Sequence, residues 1–151
     1  MMFEVAAVLP FAVQMKKLYD KACRTVCLKY ELTQTEFDIL DFLGERSGFD
    51  TAGEIARRRL IKKANVSTSV ERLTKKGYLR RHPDKRDRRI VHLELTAAAD
   101  RPIREIQAVQ KEFFSGLFSP LSREELATLK KLIDKLMNAA LHYGETLKGV
   151  H

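Results

Sequence analysis

Apolar positions recur along most of this chain at helical spacing. Leu9, Val13, Leu18, Ala22 and Val26 predict a first helix over residues 8–28. Pro10 sits near its start, where a missing N–H costs least. Thr33 or Thr35 can cap a second helix with Phe37, Ile39, Leu40 and Leu43 on its apolar face, and Ser47-Gly48 closes it. Asp50 or Thr51 opens a short third helix, with Ala52, Ile55, Ala56 and Leu60 inward and Arg57, Arg58 and Arg59 mostly outward. Lys63 to Lys76 reads as a fourth, its inner face set by Val66, Val70 and Leu73 and its end by Gly77.

The period then drops to two. Tyr78 to Arg81 predicts one strand. Ile90 to Leu95 predicts a second, with Val91, Leu93 and Leu95 alternating against His92 and Glu94. The intervening HPDKRDRR, residues 82–89, is a turn with exposed arginines at its tip. Thr96 can cap the next helical segment, and Pro102 demands a bend or a helix start near Asp100. Ile106, Val109, Phe113 and Leu117 make the next apolar seam, which Ser119-Pro120 ends. Ser122 and Glu125 form a capping box for a last helix to about Gly144. Its broad stripe contains Leu126, Leu129, Leu132, Ile133, Leu136, Met137, Ala140 and Leu141. Either a second copy in a two-fold dimer or the chain's own packing must cover such a stripe.

Composition narrows the class. With 151 residues, 44% hydrophobic and 32% charged, the chain can bury a core without staples. No apolar run is long enough for a bilayer, and no basic and apolar leader precedes a cleavage site. Two cysteines, Cys23 and Cys27, make no disulfide framework, so a reducing cytoplasmic location is expected. The net charge of +8 is unevenly spread: residues 57–92 hold 14 Lys and Arg against three acids, +11 locally, which leaves −3 elsewhere. That concentration points to a polyanion-facing surface. On the outer face of the fourth helix stand Asn65, Ser67, Thr68, Ser69 and Arg72. Ser, Thr and Asn are weak helix formers but suit close approach to phosphates and base edges. No nucleophile–base pair, paired carboxylates, Gly-rich phosphate loop or metal-spaced His/Cys cluster is present. No catalysis, cofactor or metal is therefore expected.

The order of elements resembles the MarR family of bacterial regulators. The resemblance is carried by LTQTEFDILDFL at 32–43, AGEIARRRLIKKANVSTSVERLTKKGYL at 52–79 and, most distinctively, DRRIVHLELT at 87–96. It implies a mainly α winged helix-turn-helix fold with a small β-hairpin wing. The whole chain, 1–151, would be one domain, with a DNA-binding lobe over 32–96 and dimerisation helices in 1–31 and 97–151. It implies that Lys63, Asn65, Ser67, Thr68, Ser69, Arg72, Lys75 and Lys76 belong to a recognition helix entering the major groove. Arg89 stands where the family inserts a wing arginine into the minor groove, with Asp87 holding it in line. Lys85, Arg86 and Arg88 then meet phosphates. Dimerisation falls to Leu129, Leu132, Ile133, Leu136, Met137 and Leu141.

The partners implied are double-stranded DNA, a second copy of the chain, and a small aromatic or phenolic effector between the first, second and connecting helices. The function implied is a ligand-responsive repressor acting as a homodimer on a pseudo-palindromic operator. The other reading is a winged-helix module for RNA or protein contact without an operator. Cys23 and Cys27 share a helix face with Arg24 nearby, so packing and a redox or metal role both stand as readings.

Overall fold

The computed structural model describes residues 5–148, so His151 lies outside it. Two compact units divide the chain, one through Phe113 and one from Phe114.

The first unit opens with α1 (Val5–Lys29), three residues longer at its start than the apolar spacing predicts, with Pro10 in its second turn. It continues through α2 (Gln34–Gly44), α3 (Ala52–Arg59) and α4 (Lys63–Lys75). Thr33 caps α2 reciprocally: its hydroxyl accepts the Glu36 N–H at 3.2 Å, and the Glu36 carboxylate accepts the Thr33 N–H at 3.1 Å. Thr51, not Asp50, caps α3. Leu60 ends α3 in the left-handed region, at φ 55°, and the chain turns directly into α4. Gly77, at φ 79°, ends α4 where a side chain would be strained.

A hairpin comes next. Strand β1 (Leu79–Pro83) pairs antiparallel with β2 (Val91–Leu95) in the register Leu79↔Leu95 and Arg81↔Leu93. Thr51 adds an isolated bridge to His92, so β2 is also tied to the segment before α3. Thr96 does not cap the 3-10 turn Ala97–Ala99 that succeeds it. Its hydroxyl donates to the Gly77 carbonyl and its N–H to the Tyr78 carbonyl, closing the base of the hairpin instead. The next helix, α5 (Asp100–Leu117), starts at Asp100 and places Pro102 in its first turn, where no N–H is required.

The core of this unit draws on every element: Cys23 from α1, Phe37, Ile39 and Leu40 from α2, Ile55 from α3, Val66 and Leu73 from α4, Leu79 and Leu93 from the hairpin, Ile106 from α5. Each such aliphatic or aromatic side chain contributes roughly 1.5–3 kcal/mol on burial. At Gly44 a Cβ would meet the Ile103 side chain at 3.0 Å, so the absence of one lets α5 lie close against α2.

In the second unit the end of α5 leads through a turn into α6 (Arg123–Lys148). Phe114 and Phe118 stack at 5.8 Å, four residues apart at the end of α5. Ser122 and Glu125 make the expected capping box, at 3.2 and 2.8 Å. The helix runs past Gly144, because one glycine costs only about 1 kcal/mol and Glu145 to Lys148 continue the helix. Among the described residues no helix is long and apolar enough to cross a membrane.

Candidate nucleic-acid interface

The fourth helix divides cleanly. Val66, Val70 and Leu73 are buried, while Lys63, Asn65, Ser67, Thr68, Arg72 and Lys75 are exposed or partly so. No acid occupies its first turn, and Lys62 precedes it without a side-chain cap bond. Its free N–H groups and partial positive charge are therefore reinforced by Lys62 and Lys63. Thr68 returns its hydroxyl to the Ala64 carbonyl at 3.1 Å. The side chains of Lys63, Asn65, Ser67 and Arg72 make no hydrogen bond or ion pair among the described residues.

Two expected members stand apart from the others. Ser69 is 7% exposed, because helical spacing puts it on the side of the buried Val66 and Leu73, three before and four after it. Lys76 remains exposed, but its ammonium is engaged: it lies 3.0 Å from the Glu36 carboxylate and also bonds the Glu31 carbonyl. Glu36 is 1% exposed, so that charge must be met inside the protein. Lys75, one residue earlier, is solvent-facing and reaches only Glu71, at 3.3 Å.

The triple arginine of α3 is likewise neutralised. Arg57 and Arg58 both lie 3.0 Å from Glu54, and Arg58 stacks 3.4 Å above the Phe49 ring. Arg59 binds Asp41 at 2.8 Å and Glu45 at 2.6 Å. These acids fall outside the basic stretch 57–92. The unopposed charge is thus more localised than the sequence count implies, on α4 and the hairpin.

In the hairpin tip, carboxylates build the turn and cations point away. One Asp84 oxygen accepts the N–H groups of Arg86 (2.7 Å) and Asp87 (2.8 Å), which holds its carboxyl below the usual carboxylate range. Asp87 accepts the backbone N–H of Arg89 at 3.0 Å. It therefore sets the path of the chain at Arg89, and the guanidinium itself has no partner among the described residues. Lys85, Arg86, Arg88 and Arg89 are all exposed.

Sequence reasoning missed the base of this tip. His92 Nδ1 lies 2.7 Å from Asp50 and Nε2 3.1 Å from the other Asp84 oxygen. Hydrogen bonds to the Asp50 and Asp84 carboxylates push its imidazole above the ordinary histidine value. A histidine on the polar side of β2 was the one available signal. Its partner Asp50 is 42 residues away.

The remaining expected sites separate by unit. On α6, Leu132, Ile133, Leu136, Met137 and Leu141 are exposed, Leu136 by 69%, and Leu129 is half-buried. On α1, Val8, Leu9, Phe11 and Val13 are also exposed. Between α1, α2 and α5 the Tyr19 hydroxyl accepts from Gln110 at 2.6 Å, and its ring meets Phe37 and Phe113 edge-on. Asp38 sits nearby, bonded to Gln34 at 3.0 Å and raised in pKa by burial. Cys23 is fully buried, which pushes its thiol up to about 11, and burial also raises Cys27. Neither environment favours a reactive thiolate. No cluster able to hold a metal ion occurs among the described residues.

A profile described as MarR family matches residues 30–90. The HTH-type transcriptional regulator PecS of Dickeya dadantii (strain 3937) is 31% identical over 121 residues, spanning 79% of this chain and 73% of PecS. Among solved structures, NadR in complex with 4-hydroxyphenylacetate superposes with TM-score 0.77 at 24% identity, covering 90% of this chain and 96% of NadR. The S. aureus MepR–DNA complex superposes with TM-score 0.70 at 20% identity, covering 92% and 99%.

Proposed function

Because the chain belongs to the MarR family, a family of transcriptional regulators rather than enzymes, we propose that it reads duplex DNA as a homodimeric, ligand-responsive repressor. In this reading the lobe over 32–96 binds DNA, and the helical regions 1–31 and 97–151 join two copies. The observation that carries it is the unopposed surface of α4 and the wing. Lys63, Asn65, Ser67, Thr68, Arg72 and Lys75 face outward on a helix whose start is free of acid. Lys85, Arg86, Arg88 and Arg89 project from a tip whose acids are consumed by its own backbone.

Affinity comes mainly from phosphate neutralisation, and specificity from the α4 side chains and Arg89. A two-fold dimer places its α4 helices in successive major grooves, about 34–36 Å apart, on a pseudo-palindromic operator. The exposed apolar side chains of α1 and α6 supply the material for such an interface. A small aromatic or phenolic effector is part of the reading. The half-buried Tyr19, Asp38 and Gln110 beside Phe37 and Phe113 offer polar handles among rings, and NadR of the same fold holds a phenolic acid. Such a ligand releases DNA only through unequal affinity for the two states.

The test is selection of sites from random-sequence duplexes by the full-length protein, followed by titration of the enriched duplex at physiological salt. Enrichment of a two-fold-related pair of half-sites is expected. A protein that binds random duplex or RNA as tightly as any selected site does not have this function.

A further inference from the structure

The wing is fixed at its base by a relay of groups from three segments. Asp50 stands just before α3, where its carbonyl accepts the Leu93 N–H at 2.7 Å and its neighbour Thr51 bridges to His92. The His92 ring lies between the Asp50 carboxylate and Asp84 Oδ2, at 2.7 and 3.1 Å. Asp84 Oδ1 organises the Arg86 and Asp87 N–H groups, and Asp87 in turn holds the Arg89 N–H. The His92 imidazole links the body of the protein to this turn, and both of its nitrogens face carboxylate oxygens.

We propose that His92 is a positioning residue for the wing: as an imidazolium bridging Asp50 and Asp84 it holds the turn bearing Arg89 in place, and loss of its proton releases that turn.

The chemistry requires the proton. A carboxylate has only acceptors, so two such bonds need two N–H donors, and only the charged ring has both. The neutral ring keeps one bond and turns a lone pair toward the other carboxylate. The other charged and titratable groups that line the same depression as His92 are His82 and Glu94 on the hairpin strands and Arg46 after α2. His82 and Glu94 pair with each other. A histidine raised by its partners is charged, and its ties intact, below the ordinary histidine value; they are lost as pH rises through the raised value. The wing should therefore be held at mildly acidic pH and loosen as the pH rises through that raised value.

The inference rests on the proposal that the wing meets DNA, so its test has an arm without DNA. Hydrogen exchange of the Arg86, Asp87 and Arg89 amides, corrected for intrinsic rates, is followed in the free full-length protein from about pH 6 to about pH 9. In the same range the selected duplex is titrated. Wild type should show a rise in wing exchange and a loss of affinity on the order of fivefold, the size of one exposed charged contact. His92→Gln should be flat in both and sit at the loosened limit. Asp50→Asn should shift the step to lower pH, and His82→Gln should leave it unchanged. In an Arg89→Ala background the affinity step should vanish while the exchange step remains. Parallel wild-type and His92→Gln exchange profiles overturn the proposal, as does a step that moves with His82→Gln. Absence of any duplex preference counts against the DNA reading alone, and the exchange arm still decides the role of His92.

Discussion

At the residue scale the proposed interface turns on which cations are already spent. Lys75 and Lys76 are adjacent, yet one faces solvent and the other closes over Glu36. Lys75→Ala should weaken binding to all duplexes equally and flatten the salt dependence by about one unit, as for a single phosphate contact. Lys76→Ala should leave that slope alone and cost about 3 kcal/mol of folding stability, since it strands a buried carboxylate. Urea denaturation of both variants, set beside their salt titrations, separates the two roles. The Arg89 guanidinium has no partner among the described residues. Arg89→Ala should cost about 1–3 kcal/mol on the selected duplex and leave stability and dimerisation unchanged. An undiminished affinity for that duplex would remove Arg89 from the interface.

At the scale of elements, local chemistry is readable from the chain and distant pairing is not. The capping boxes at Thr33 and Ser122 and the start of α5 at Asp100 each arise from residues within a few positions of one another, and the hairpin joins two successive strand patterns across one turn. Spacing alone does not place Ser69 and Lys76. A serine at the border of a helical stripe turns in or out with a small rotation, and Lys76 is claimed by a carboxylate 40 residues away. Thr96, a sound cap by type, is drawn instead to Gly77, 19 residues back, because the hairpin base needs closing. The arginines of α3 count as free charge in the sequence, but Asp41 and Glu45 come from α2 and its end. The turn between α3 and α4 carries a local strain. Leu60 adopts φ 55° while 70% exposed, so its side chain gains little from packing. Leu60→Gly should relieve that conformation and raise stability by ~0.5–1 kcal/mol, after the added freedom of the unfolded chain is subtracted. A lower melting midpoint would mean that the leucine makes contacts which outweigh the strain.

At the scale of the whole molecule, the proposed dimer and the basic surface make separable demands. Leu136 is among the most exposed apolar side chains of α6. Leu136→Glu should shift the protein toward monomers in sedimentation at micromolar concentration, and lower affinity for a two-half-site duplex far more than for a single half-site. Unaltered sedimentation would move the interface away from this part of α6. The hairpin has a consequence of another kind. It is a two-stranded sheet in which β2 is flanked by β1 and the Thr51 bridge, so the far margin of β1 has no neighbouring strand among the described residues. Such a margin is a template for unwanted strand addition and fibrillar self-association. Arg80 and Arg81 stand exposed along it and Pro83 terminates it. The positive charge that suits this region to a polyanion also keeps it from pairing with itself, so stripping it should make the protein prone to precipitate as well as poor at binding.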